Sequence, residues 1–194
     1  DVVEDQFRNL FNKMGIAEVD FFPSRKSTKM PSVGPGTEFL LAQPFLADTA
    51  RELEALGAKH LPAPFPLGAM GTSAWLEQAA KAFGVSEKTF EATIEAPKKR
   101  ALQALSKHRL ELAGKKIFFF PDSQLEIPLA RFLHTELGMQ LSEIGTPYLH
   151  RRHLDAELQQ IPASARIVEG QDVEEQLDRC RDEAPDLVVC GLGL

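Results

Sequence analysis

The chain has 194 residues, 43% hydrophobic and 26% charged, with a formal net charge of −6. That length holds one ordinary domain or two small ones, and that composition can bury a core. It excludes a membrane span, since no apolar run approaches about 20 residues, and it argues against nucleic acid, since residues 114–194 carry the whole acid excess.

The chain opens at Asp1 in a helical pattern and stops at "VVCGLGL", after an apolar run. Nothing within the chain reads as a signal peptide of charged, apolar and small residues. We expect an excised piece of a longer protein.

Val3, Phe7, Leu10, Phe11 and Met14 share one helix face over Val2–Met14, and Gly15 stops it. Val19–Phe22 reads as a short strand, and Pro23–Gly36 as a Pro/Gly-punctuated connector. Glu38–Gln43 reads as a buried strand, Leu46–Leu56 as a helix ended by Gly57, and Lys59–Leu61 as a very short strand. Pro62–Gly71 is a loop by composition, Thr72–Phe83 a helix, and Ser86–Leu112 helical, with Pro97 either kinking it or starting a second helix. Lys98-Lys99-Arg100, Lys107 and Arg109 lie there without interleaved aromatics and read as a solvated face.

Gly114 marks a change, and we divide the chain there into 1–113, a middle α/β domain with a helical segment, and 114–194, a Rossmann-like domain. Strands at 117–120, 141–144, 166–168 and 187–190 alternate with helices at 128–137, 153–161 and 173–183. This order predicts an α/β fold with parallel sheets flanked by helices. Asp172 with Glu175 has the spacing of a helix cap and a first-turn carboxylate. "FLLAQPFLADTARELEALGA" and "FFFPDSQLEIPLARFLHTELGM" echo one another as strand, proline break and helix.

Ligands of open parallel sheets bind beyond the carboxyl ends of the strands. Gln43–Phe45 and Pro121–Glu126 occupy such ends, and the second is longer. Asp122, Ser123 and Gln124 are the candidate site residues. Ser123 and Glu126 have capping-box spacing, whereas Pro128 suits the first helical position, so helix cap and crevice wall both stand as readings. No phosphate-binding glycine motif follows a strand, and the closing Gly-Leu-Gly has one glycine too few. His150 and His153, beside two arginines, read as the start of a solvated helix, and Trp75 and Phe118–Phe120 as core. Cys180 and Cys190 match no zinc or iron–sulfur spacing, so we expect no metal ligand here, and read Cys190 as a small core residue. No catalytic residue can be assigned.

Four stretches go further: "FLLAQPFLADTARELEALGAKHLPAPFPLGAMGTSAWL", "GKKIFFFPDSQLEIPLARFLHTELGMQLSEIGTPYLHRRHL", "EGQDVEEQLDRCR" and "PDLVVCGLGL". They resemble the N-subunit family of dark-operative (light-independent) protochlorophyllide reductases, and more distantly the nitrogenase component 1 proteins. The resemblance implies stacked nitrogenase-component-1-like domains and an oxidoreductase of (bacterio)chlorophyll biosynthesis. It implies a heterotetramer with a B subunit, electrons from an ATP- and Mg-dependent iron–sulfur L protein, and protochlorophyllide as substrate. It implies a [4Fe–4S] cluster in the full complex, with ligands outside this chain, and a cytoplasmic or plastid-stromal setting. The chain alone is expected to hold no cofactor and to be inactive. By the same resemblance Asp122, Ser123 and Gln124 wall the pigment cavity. The rival expectations are another nitrogenase-like reductase of a tetrapyrrole or metallocluster, and a non-catalytic assembly scaffold.

Overall fold

The computed structural model describes residues 2–26, 28–170 and 172–191. After Gly114 the alternating pattern forms a four-stranded parallel sheet. Its strands β3 (Lys116–Phe119), β4 (Gln140–Thr146), β5 (Arg166–Glu169) and β6 (Leu187–Val189) lie in the order β5-β4-β3-β6. Ile117 is paired with Leu141 on one side and Leu187 on the other, and Ile144 with Ile167. Ile117, Phe118 and Phe119 are buried on both faces of β3, as the interior strand of a covered parallel sheet must be. Helices α5 (Glu126–Leu137), α6 (Arg151–Leu158) and α7 (Val173–Glu183) make the connections. Gly138 closes α5 at φ 75°, in the left-handed conformation that glycine adopts without steric cost. Asp172 opens α7 as expected, its Oδ1 accepting from the N–H of Glu174 at 2.8 Å and of Glu175 at 3.4 Å.

The first part of the chain contributes α1 (Val2–Lys13), β1 (Glu38–Phe39), α2 (Ala47–Ala55), β2 (Lys59–His60), α3 (Gly68–Ala82) and α4 (Glu87–Leu112). β1 and β2 form a separate parallel pair. Phe11, Met14, Trp75, Leu76 and Ala79 form one core cluster, in which the Trp75 indole N–H donates to the Leu41 carbonyl at 2.8 Å. A second cluster crosses Gly114, joining Leu41, Ala50 and Phe65 to Ile117, Phe119, Ile127 and Ile144.

Several expectations are corrected. Val19–Phe22 is not a strand: no neighbour among the described residues pairs with it, and the Arg8 guanidinium donates to the Val19 carbonyl at 2.6 Å. The strand expected over Glu38–Gln43 stops at Phe39. α3 starts at Gly68, inside the expected loop, because Glu136 of α5 accepts from the N–H groups of Ala69 at 2.8 Å and Met70 at 2.9 Å. That remote carboxylate supplies the cap that Leu67 lacks. Pro97 starts no second helix but lies inside the 26-residue α4, which leaves the first of its two readings, an interruption within one helix. No residue of α4 is buried. α6 begins at Arg151 rather than His153. β6 is an edge strand with Leu187 and Val188 partly exposed, and Cys190 beyond it is exposed rather than core.

One buried ion pair ties the loop before α3 to the larger sheet unit. Arg131 of α5 and Glu157 of α6 are both fully buried, with Nε to Oε2 at 2.5 Å. Glu157 Oε1 accepts from the Phe65 N–H at 2.6 Å, and Arg131 Nη2 donates to the carbonyls of Phe65 and Leu67 at 3.2 and 2.9 Å. Burial pushes the Glu157 carboxyl above its ordinary range, against the pull of the guanidinium and of the Phe65 N–H.

Candidate functional site

The strand order places a topological switch point at β3. The chain leaves β3 for β4 and β5 on one side and returns to β6 on the other. In such sheets the crevice for a ligand opens outside the carboxyl ends of the two strands that flank the switch. Here those ends carry Phe120–Leu125, after β3, and Cys190–Gly191, after β6. The two segments meet: a methyl group on Gly191 would come within 2.1 Å of Asp122 Oδ1. Gly191 therefore leaves the room that the Asp122 carboxylate occupies. Leu192–Leu194, which complete the closing glycine-containing stretch, lie outside the described residues.

The three candidate residues share this loop but not one environment. Asp122 is exposed, Ser123 half-buried, and Gln124 only 9% exposed. Gln124 holds φ 70°, a left-handed conformation that costs a non-glycine residue about 1–2 kcal/mol. Its Oε1 is buried without a hydrogen-bond partner. All three lie at the carboxyl edge of the sheet, but Gln124 is turned inward rather than exposed.

Glu126 shapes the loop. Its Oε1 accepts from the N–H of Asp122 at 2.6 Å and of Ser123 at 2.7 Å, while its Oε2 is buried and unpartnered. The bond to Ser123 N–H is half of the capping box that the Ser123–Glu126 spacing predicts, but the residue at the N-cap is Leu125 rather than Ser123. The helix starts at Glu126, so Pro128 falls at its third position, where its missing N–H forfeits no helix bond. Behind the loop, Gln176 Nε2 donates to the Phe119 carbonyl at 3.3 Å and to Glu143 Oε1 at 3.0 Å. Arg179 grips Glu143 with bonds of 2.7 and 3.0 Å. Sequence reasoning passed over Gln176, Glu143 and Arg179, which lie far apart in the chain. The signal that could have flagged Glu143 is the one charged residue of a strand read as part of the sheet, Leu141–Ile144.

Elsewhere, His60 and His153 meet edge to face at 5.2 Å between ring centres, and neither ring nitrogen of His153 has a partner. Burial, then His153, brings His60 down to about 4, and burial, then Arg152, lowers His153. The solvated reading therefore holds for exposed His150 but not for His153. The Cys180 thiol is pushed up by burial, then by Glu143, the opposite of an activated thiolate. Among the described residues no three His, Cys, Asp or Glu side chains are placed to hold a metal ion. Two well-separated cysteines do not fit an iron–sulfur cluster, which takes about four ligands. An apolar groove of about 490 Å³ runs between α3, α4 and α5, walled by Leu76, Ile94, Leu105 and Phe132. No described helix is long and apolar enough to cross a membrane.

A parallel sheet with its switch point between β3 and β6 has Rossmann-like form, and comparison with known families narrows the class. The model of the nitrogenase component 1 type oxidoreductases matches residues 4–193, and the chain belongs to that family. Among solved structures it is similar to a nitrogenase component 1 protein, at TM-score 0.61 and 19% identity over 95% of this chain and 45% of that one; this likeness shows the fold.

Within the family the chain is 65% identical, over all 194 residues, to the light-independent protochlorophyllide reductase subunit N of Rhodopseudomonas palustris (strain BisA53). It is 62% identical to that of Rhodospirillum rubrum and 60% to that of Bradyrhizobium sp. (strain BTAi1). It spans 44–45% of the length of these relatives.

Proposed function

We propose that this chain supplies part of the catalytic component of a light-independent protochlorophyllide reductase. The observation that carries the reading is identity of 60–65% sustained over every residue of the chain. In this reading the protein works with a B subunit and takes electrons from an ATP-dependent iron–sulfur L protein. A [4Fe–4S] cluster relays them to protochlorophyllide, with ligands from other parts of the complex; Cys180 and Cys190 are not among them. The setting is the cytoplasm, or the stroma of a plastid.

The part of this chain is structural and recognitional. The loop of Asp122, Ser123 and Gln124 walls the pigment cavity, a reading supported by its place at the switch point and by the exposure of Asp122 and partial exposure of Ser123; the burial of Gln124 within this chain counts against a direct part for that side chain. Gln176, Glu143 and Arg179 position the loop by fixing the end of β3 against α7.

The test is replacement. A full-length N subunit carrying this segment is expressed in a phototroph that lacks its own N subunit and has no light-dependent reductase, and pigment is measured after growth in the dark. Chlorophyllide is the expected product. Accumulated protochlorophyllide, with the hybrid subunit present and assembled, refutes the assignment. In the same system Gln124→Ala should weaken pigment binding or turnover and leave the cluster spectrum unchanged; unchanged binding and rate would reduce the loop to a helix cap.

A further inference from the structure

We propose that the outer face of α4 is a self-association surface, which pairs two copies of this chain antiparallel across a two-fold axis beside Pro97. The proposal stands apart from the pigment reading, because it rests only on the charges and the exposure of this helix and its start.

α4 runs for 26 residues, about 39 Å, along α3 and α5, and none of its residues is buried. Its own chain packs it loosely, since the apolar groove of about 490 Å³ lies along its inner side. Its charges are sorted along its length. The first half carries Glu87, Glu91 and Glu95 against a single base, Lys88. The second half carries Lys98, Lys99, Arg100, Lys107 and Arg109 against a single acid, Glu111. Glu87, Glu91, Glu95, Lys99, Arg100 and Lys107 are exposed, and none of them forms an ion pair among the described residues. The helix dipole does not account for this order, because its effect is confined to the first and last turns, whereas Glu91, Glu95 and Lys98–Arg100 lie in the interior. The three glutamates stand four residues apart, a spacing at which like charges repel.

A surface that relieves both halves is basic where α4 is acidic and acidic where α4 is basic. A second α4 laid antiparallel is such a surface, whereas a parallel one would set like charge on like. With the axis beside Pro97, Glu95 comes level with Lys99 of the second copy, and the two-fold makes that contact twice. The same register brings Leu110, 86% exposed near the end of α4, to Phe83, 56% exposed just before its start. Charge therefore sets the direction and register of the pair, and apolar contacts at both ends add buried area. One helix face from each copy covers less than the ~1,600 Å² of a standard interface, so the dimer is weak, with Kd about 10–100 μM.

The test is sedimentation velocity of the 194-residue chain at concentrations from about 5 to about 500 μM, which bracket that Kd. A monomer–dimer equilibrium is expected. It should weaken at least tenfold between about 50 and about 500 mM salt, over which the screening length shrinks from about 14 to about 4 Å. Glu91→Lys with Glu95→Lys makes α4 basic in both halves. Lys99→Glu with Arg100→Glu and Lys107→Glu makes it acidic in both. Each variant alone should be monomeric with an unchanged far-ultraviolet circular dichroism spectrum, and their equimolar mixture should pair more tightly than the unaltered chain. Leu110→Ser should weaken the dimer severalfold without changing its salt dependence. A chain that stays monomeric at the highest concentration, a dimer that tightens with salt, a dimer that survives either charge reversal, or a mixture that stays monomeric would each overturn the proposal.

Discussion

Removing Glu157 should cost this protein a large part of its stability. In Glu157→Ala the Arg131 guanidinium stays in a fully buried position without its counter-charge, and the Phe65 N–H loses its acceptor. Breaking a buried pair from one side costs about 3–5 kcal/mol. The whole stability of a chain of this size is on the order of 10 kcal/mol. At about 2–4 °C per kcal/mol, Tm should fall by roughly 6–20 °C. Urea unfolding followed by circular dichroism measures the loss, and hydrogen exchange at Phe65 and Leu67 locates it. Glu157→Gln, which keeps an acceptor for Phe65 but loses the charge, should lie between wild type and alanine. The pair Arg131→Met and Glu157→Leu should recover part of the loss, though not all, since the Phe65 N–H and the Phe65 and Leu67 carbonyls then lose side-chain partners. A loss under about 1 kcal/mol for Glu157→Ala would refute the reasoning, because a surface pair is worth that much.

Other perturbations test separate parts of the structure. Gly145→Ala places a methyl 2.4 Å from Gln176 Nε2 and 2.9 Å from the Phe119 carbonyl, and should destabilise by about 1–3 kcal/mol in urea melts. His60 and His153 both bind protons less readily folded than unfolded, so stability should be complete above about pH 6.5 and fall as pH drops toward 4. His60→Phe should flatten that slope, and an unchanged slope would assign it to carboxylates. Pro97→Ala restores an N–H inside α4 and should raise the unfolding free energy by about 1–3 kcal/mol in urea melts; an unchanged or lower value would show that the helix gains nothing from that bond.

The larger sheet was legible because its signals are local. Ile117–Phe120 is a dry run of strand length, and Gly114 and Gly138 bracket it and its helix. What could not be read depends on distant atoms. The start of α3 lies among turn-forming residues, and the carboxylate that caps it is Glu136, which follows 67 residues after Ala69. Val19–Phe22 has strand composition but no strand to pair with, and pairing is not written in a segment's own residues. The switch-point loop was placed correctly at the carboxyl edge, but the inward turn of Gln124 was not foreseen. It follows from Glu126 drawing Asp122 and Ser123 toward itself, which leaves Gln124 to make the corner.

The strand order has a consequence for the order in which a growing chain can build its crevice. β3, β4 and β5 are made in sequence and can pair as they appear, but the other flank of β3 must wait for β6. Until then the Phe-rich strand presents open N–H and C=O groups, the kind of edge that recruits other chains. When β6 docks, it covers that edge and brings Gly191 against Asp122 in one step. Covering the edge and packing Gly191 against Asp122 are thus the same event, so protection of the Phe120–Leu125 segment from hydrogen exchange doubles as a report on whether synthesis and folding have run through α7 and β6.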